Sequence, residues 1–385
     1  MGALMGERSA GLVSTPFWIR RPSLLFEGAR VDRDNPDLAK LLALEPEERF
    51  VWGVLPHAAR SFAPCIISLP AKIALPMAVG YLYCRTLDTY EDLVADPGAR
   101  RRALLSLPER LERLRGGESA GPAPELLYEC LDPRDKAHAL LADELSRLDL
   151  LFLGFPAPVQ EALCDLVSDM SAGMRWAADT FETQGGSLAD SAQLSEYCVA
   201  VLGNPIRFAA RLFQWLSGRG VDLDASVEGA ARDVGEFLQL ANITRDIEKD
   251  LLRGVAYCES LSDSARRRSA GDAALIIAAR TALCDRALSL APAYLELVDG
   301  MRLGSGLMSS SALMMLRFTD QHYRRTAARV GVEGGRVLGV SSVIWRSLPG
   351  VISGAWARSQ MQRSVDGLCA LQSDLRAQAS SMYLS

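Results

Sequence analysis

Apolar positions recur at helical spacing along almost the whole of this chain, and alternating β-branched runs of the kind that mark strands are almost absent. The pattern predicts an all-α protein, with helices over 36–59 and 70–95, then 135–153, 157–181, 190–217, 224–252, 263–299 and 306–330, and a weaker one after 340. Pro156, Gly185 with Gly186, Gly218 to Gly220 and Gly304 to Gly306 supply the breaks. RRALLSLPERLERLR reads as a charged amphipathic segment kinked by its proline, and GGESAGPAPE, residues 116–125, as a surface loop. Residues 1–35 read as an irregular lead-in, 36–345 as one helical domain and 346–385 as a helical C-terminal extension.

Two acidic clusters interrupt this pattern. Ala74, Met77, Tyr81, Cys84 and Asp88 share one helix face, which continues to Asp92 in the stretch DTYED. If that face points inward, two carboxylates one turn apart repel each other and call for a cation, either Arg85 or a divalent metal ion. In LQLANITRDIEKD the same spacing returns: Gln239, Asn242, Asp246 and Asp250 share a face, beside an apolar stripe of Phe237, Leu240, Ile243, Ile247 and Leu251. Either cluster alone most often marks a solvated surface. Together, amides and carboxylates in register suit a hard cation such as Mg²⁺, which binds through one or two carboxylates plus waters and substrate phosphates. Two such helices facing each other would make a metal-diphosphate site. The chemistry that needs one is ionisation of an allylic diphosphate, with arginines closing the clamp and an apolar cavity shielding the carbocation.

Composition narrows the alternatives. With 385 residues, 49% of them hydrophobic, the chain has enough apolar surface for a large core. A net charge of −5 provides no general basic field, so no nucleic acid is expected as a partner. Eight scattered cysteines without a CxxC pair read as reduced core residues of a cytoplasmic protein. The N-terminus lacks a basic region followed by an apolar one, so no signal peptide is expected. Residues 65–84 carry Lys72, Pro70 and Pro76, which favours a buried helix over a membrane span.

YLYCRTLDTYED and LQLANITRDIEKD, taken together, resemble the two aspartate motifs of the squalene and phytoene synthase family, the head-to-head isoprenyl-diphosphate synthases. ARSFA, residues 59–63, is similar to that family's N-terminal Arg-Ser-Phe segment; by itself it reads as a helix break with Ser61 capping the next turn. The resemblance covers roughly residues 45–345 and implies a single isoprenoid-synthase domain with a central apolar cavity. It implies that Asp88, Asp92, Asp246 and Asp250 bind Mg²⁺, with Gln239 and Asn242 supporting metal or diphosphate. Arg60, Ser61, Tyr81, Arg85 and Arg245 would contact phosphate, the arginines stabilising the departing group. Tyr197 matches a family tyrosine near the reacting carbons, its plainer reading being a buried core tyrosine, and Tyr257 falls in a substrate-binding segment.

The activity so implied is Mg²⁺-dependent prenyl transfer from an allylic prenyl diphosphate to a second prenyl diphosphate, with NADPH needed only if the product is squalene. No Rossmann glycine fingerprint is present, and the family binds NADPH without one. Three departures bear on the acceptor. VAVLGNPIR keeps Gly203 but has Ile206 where the family has a second glycine, with Pro205 before it. GMRWAAD has Arg175, Trp176 and Ala177 where an Asp is usual, and GVAYCE has Val255 and Glu259 for an arginine and a proline. They keep open an aromatic small-molecule acceptor, as in some phytoene-synthase-like enzymes of specialised metabolism. A non-catalytic isoprenoid-binding protein is the third reading. A hydrophobic product is compatible with peripheral membrane contact, though no anchor is evident; chain length and oligomeric state are not legible.

Overall fold

A computed structural model describes residues 17–124, 126, 132–303 and 306–382. The chain starts with α1 (Phe17–Arg30), α2 (Leu38–Leu42), α3 (Glu47–Ala59), α4 (Phe62–Ile67) and α5 (Ala71–Leu93). Next come α6 (Pro97–Arg115), α7 (Pro133–Asp143), α8 (Leu145–Leu153) and α9 (Ala157–Thr183). Then α10 (Ser191–Cys198) runs through a π-helical turn, Val199–Gly203, directly into α11 (Asn204–Leu216). α12 (Ala225–Arg253), α13 (Ser262–Arg266), α14 (Ala273–Ser289), α15 (Ala293–Met301), α16 (Gly306–Arg329), α17 (Val340–Ser347) and α18 (Gly354–Met382) follow. Among the described residues there is no strand, only an isolated bridge between Ser187 and Ala256.

Aspartates start many of these helices. Asp96, Asp132, Asp190, Asp224 and Asp272 each accept a hydrogen bond from the first-turn backbone N–H groups that the helix leaves unpaired. Pro97 and Pro133 occupy first helical positions, where a missing N–H costs nothing.

The structure departs from the sequence pattern in several places. Phe17–Arg30, within the expected irregular lead-in, is helical: Leu24 and Leu25 pack against the core despite Pro22 inside the helix. The stretch 135–153 is two helices meeting at Glu144, and 263–299 is three, interrupted at 267–272 and 290–292. The N-terminal segment read for a signal peptide, Glu125 of the 116–125 loop, Cys130, and Gly304 with Ser305 lie outside the described residues.

One buried core runs from Leu41 to Leu375 and takes in α18 through Met361, Val365, Leu368, Leu371 and Leu375. α5 packs against α3, α7, α9 and α11, and α12 packs against α11, α14, α15 and α16. A buried polar triad ties α5, α6 and α8 together. Tyr83 donates to Asp149 at 2.7 Å, Arg110 Nε donates to the other Asp149 oxygen at 2.8 Å, and Arg110 also donates to the Gly121 carbonyl at 2.7 Å. No helix among the described residues is long and apolar enough to cross a membrane.

Candidate active site

All thirteen residues singled out in the sequence line one cavity of about 270 Å³. α5 supplies Tyr81, Arg85, Asp88 and Asp92 from one face, and α12 supplies Gln239, Asn242, Arg245, Asp246 and Asp250 from another. Arg60 and Ser61 come from the α3–α4 junction, Tyr197 from α10 and Tyr257 from the segment after α12. The five apolar residues of the second motif's stripe are all buried, so its polar side is turned to the cavity.

Five charged or titratable lining residues escaped the sequence reading: Glu91, Asp135, His138, Lys249 and Arg253. Glu91 lies inside DTYED, but a search for i, i+4 pairs passes over it. Asp135 and His138 sit on α7, one turn apart, with no motif around them.

Arg60 has φ 45°, in the left-handed region, which costs a non-glycine residue about 1–3 kcal/mol. The junction turns there and brings Arg60 near Arg85 and Arg245; burial first, then these two cations, lower its pKa. Ser61 makes no capping hydrogen bond, so its hydroxyl is not committed to starting α4. Arg85 pairs with Asp88 at 3.1 Å and donates to the Tyr81 hydroxyl at 3.3 Å. Burial disfavours its charge, but Tyr81 and Asp88 outweigh that and raise its pKa. Its Nε is buried without a hydrogen-bond partner among the described residues.

The acids are crowded. Burial, then Asp92, pushes Asp88 up to about 6 despite Arg85, and burial with Asp92 and Asp88 pushes Glu91 up to about 8. Burial and then Asp246 push Asp250 up to about 7. Asp246 goes the other way: burial opposes its charge, but two bonds from Arg245, at 2.9 and 2.6 Å, hold it below the usual range. Across the mouth, Arg253 of α12 donates to Asp92 of α5 at 2.9 Å. His138 is pushed down to about 3 by burial and then by Arg85, so it faces the cavity neutral.

Among the described residues no three Asp, Glu, His or Cys side chains gather closely enough to cage a metal ion. The donor set nonetheless suits Mg²⁺, because its motif donors are carboxylates and amides, and this ion needs only one or two carboxylates when phosphates and waters complete its shell.

Aromatic and apolar side chains also line the cavity. Gly186 has φ 93°, and a Cβ there would lie 2.3 Å from the Gly254 carbonyl oxygen, so the 186–188 and 254–256 segments dock backbone to backbone. Ala256 N–H donates to Gly186 O at 2.8 Å and Leu188 N–H to Ala256 O at 3.1 Å. That docking delivers Tyr257 against Tyr197, with rings 5.3 Å apart and hydroxyls at 3.4 Å, and Phe181 edge-on to both. Burial pushes both phenols well above their ordinary pKa.

The altered VAVLGNPIR segment carries on this wall. Its helix does not break at Gly203 but widens: Asn204 N–H reaches back five residues to Val199 O, and its side-chain amide donates to Ala200 O at 3.2 Å. Pro205 has no N–H to offer a regular helix. Val201, Leu202 and Pro205 line the cavity, while Ile206 is buried in the core. The turn lies against α12 at Gly235, where a Cβ would sit 2.3 Å from Gly203 Cα. Arg175, by contrast, lines a separate small cavity between α6 and α9 with Arg101, Asp179 and Glu182.

The family model described as squalene/phytoene synthase matches residues 55–337. Squalene synthase 1 of Arabidopsis thaliana is 26% identical over 233 residues, 60% of this chain and 52% of that protein. Botryococcus squalene synthase of Botryococcus braunii is 28% identical over 219 residues, 55% of this chain and 42% of that protein. The chain thus spans about half the length of the curated relatives it matches. The solved structure of TcSQS with the ligand E5700 superposes with a TM-score of 0.59 at 16% identity, covering 86% of this chain and 100% of that one, a likeness of fold.

Proposed function

This chain belongs to the squalene/phytoene synthase family, a family of prenyltransferases, and from that premise we propose that it condenses two prenyl diphosphates head to head. The observation that carries this reading is that one cavity brings together the charged side chains of α5 and α12 and the aromatic and apolar side chains Tyr197, Val201, Leu202, Pro205 and Tyr257. A prenyl diphosphate likewise joins a charged group to an apolar chain.

Six acids and five basic side chains line the cavity, so even with Glu91 protonated little net positive charge is left to receive a diphosphate. Mg²⁺ held by Asp88, Asp92, Asp246 and Asp250 would supply that charge and neutralise the leaving group. Arg60, Arg85 and Arg245 orient the diphosphate. When the C1–O bond breaks, its electron pair leaves with the diphosphate, and the allylic cation lies toward Tyr197 and Tyr257. Their raised pKa keeps them phenols, so they offer ring faces and a hydroxyl rather than a base. The cation is then captured by the double bond of a second prenyl diphosphate, with loss of a proton. NADPH would be needed only if the product is squalene.

Incubation with Mg²⁺ and labelled farnesyl or geranylgeranyl diphosphate alone should release diphosphate and give a prenyl dimer. Diphosphate release only when an aromatic acceptor is added would overturn the head-to-head assignment. No release under either condition would overturn prenyl transfer itself.

A further inference from the structure

None of the residues that line the candidate active site lies in the stretch that follows α16. Here Trp345 is 71% exposed, Ile352 91% and Val340 50%, and Val337 and Val351 are exposed as well. Large apolar side chains exposed singly are ordinary; five within sixteen residues are not. Val343 and Ile344 hold the inner side of α17 in the fold, so the exposed residues belong to its outer side.

The charge of this stretch is one-sided. Residues 334–365 contain four arginines and no Asp or Glu, in a chain whose net charge is −5. Arg336 and Arg346 are exposed beside the apolar residues. α1 lies next to α17, because Leu24 and Leu25 line a small cavity together with Val340 and Ile344. It adds exposed Ile19 and Phe26, seven residues apart and so on one face, with the Arg30 guanidinium 3.9 Å above the Phe26 ring. Aromatic and aliphatic side chains fringed by arginine suit the boundary between lipid headgroups and acyl chains.

A second cavity links the patch to the candidate active-site cavity. Val340 lines this second cavity, of about 190 Å³, whose wall includes Ser61, Asn242 and Arg245, which line the first as well.

We propose that the outer sides of α17 and α1, with residues 348–352 between α17 and α18, form a docking surface for an anionic lipid bilayer. Trp345 and Ile352 enter the interface, and Arg336 and Arg346 meet lipid phosphates. The docking itself does not depend on the proposed chemistry; only its benefit, delivery of a prenyl diphosphate from the bilayer to the cavity mouth, rests on that reading.

Vesicle flotation of the full chain tests this without any measure of catalysis. The protein should float with vesicles of phosphatidylcholine and phosphatidylglycerol, float less with phosphatidylcholine alone, and lose binding as salt rises. W345S/I352S should weaken binding by about tenfold or more, and R336E/R346E should erase the preference for anionic vesicles, with circular dichroism confirming that both variants fold. Failure of the parent chain to float, equal flotation on both vesicle types, or binding unchanged in both variants overturns the proposal. So does light scattering that shows a dimer which W345S/I352S converts to monomer, since the patch would then be covered by a second copy.

Discussion

Arg253 and Asp92, 161 positions apart in the chain, meet at 2.9 Å across the mouth of the cavity. Both are partly exposed, so the pair contributes little to stability, about 0–1 kcal/mol. Its weight lies in what it occupies, since a cation already stands at a carboxylate proposed to hold Mg²⁺. Arg253→Gln should leave the melting temperature nearly unchanged and lower the Mg²⁺ concentration needed for half-maximal diphosphate release. An unchanged or higher Mg²⁺ requirement would show that Arg253 does not compete at Asp92.

Asp88→Asn and Asp250→Asn should reduce diphosphate release by about 10²–10³-fold, the usual loss when a group acting on transition-state charge is removed. Neither variant should unfold. Both carboxylates are half-buried, and that burial, with the neighbouring acids adding to it, pushes their pKa up to about 6 and 7. At pH 8 without divalent ions, the neutral amides should therefore melt no lower than the parent. Retained turnover with a normal Mg²⁺ response would exclude these two residues from the leaving-group site.

The Tyr83–Asp149–Arg110 triad predicts a purely structural defect. Asp149→Ala leaves the buried Arg110 guanidinium facing a void, at a cost of about 3–5 kcal/mol. Urea denaturation should show the midpoint falling accordingly. A change below about 1 kcal/mol would mean that water reaches Arg110.

His322 gives the acid side of the stability profile. It lies near the Thr244 and Thr326 hydroxyls, and burial followed by Arg245 pushes its pKa down to about 3. Between that value and the unfolded value of about 6.5, the unfolded chain binds the proton and the native state does not. Stability from the neutral ring is therefore complete above about 6.5 and declines as pH falls toward 3. Melting temperature should fall more steeply from pH 7 to pH 4 in the parent than in His322→Gln. Equal slopes would mean that His322 is protonated in the native state.

The acidic clusters were legible because a helix places i and i+4 together by geometry alone, so Asp88 with Asp92 and Asp246 with Asp250 could be put on faces before any packing was known. Glu91 and His138 were not, because their place in the cavity depends on how α5 and α7 pack against each other. The Phe17–Arg30 helix escaped for a related reason: burial of Leu24 and Leu25 outweighs Pro22, and no local pattern reports that burial. Tyr257 was legible as a residue type, but its pairing with Tyr197 depends on backbone docking at Gly186 and Gly254, two segments far apart in the chain.

The π turn at Val199–Gly203 makes the cavity wall sensitive to counting as well as to chemistry. A regular helix advances by about 100° per residue, so deleting a single residue here would restore α-helical phasing and swing everything on one side of the turn by about that angle. Neither flank is free to follow: Tyr197 is held by Tyr257 and Phe181, and Phe208 fits against Gly80, where a Cβ would lie 2.6 Å from its ring. An insertion or deletion of one residue would therefore exchange the side chains that this turn presents to the cavity, where Val201, Leu202 and Pro205 now stand, while leaving the α5 and α12 carboxylates in place. The shape of the cavity wall thus has a route to change through helix length alone.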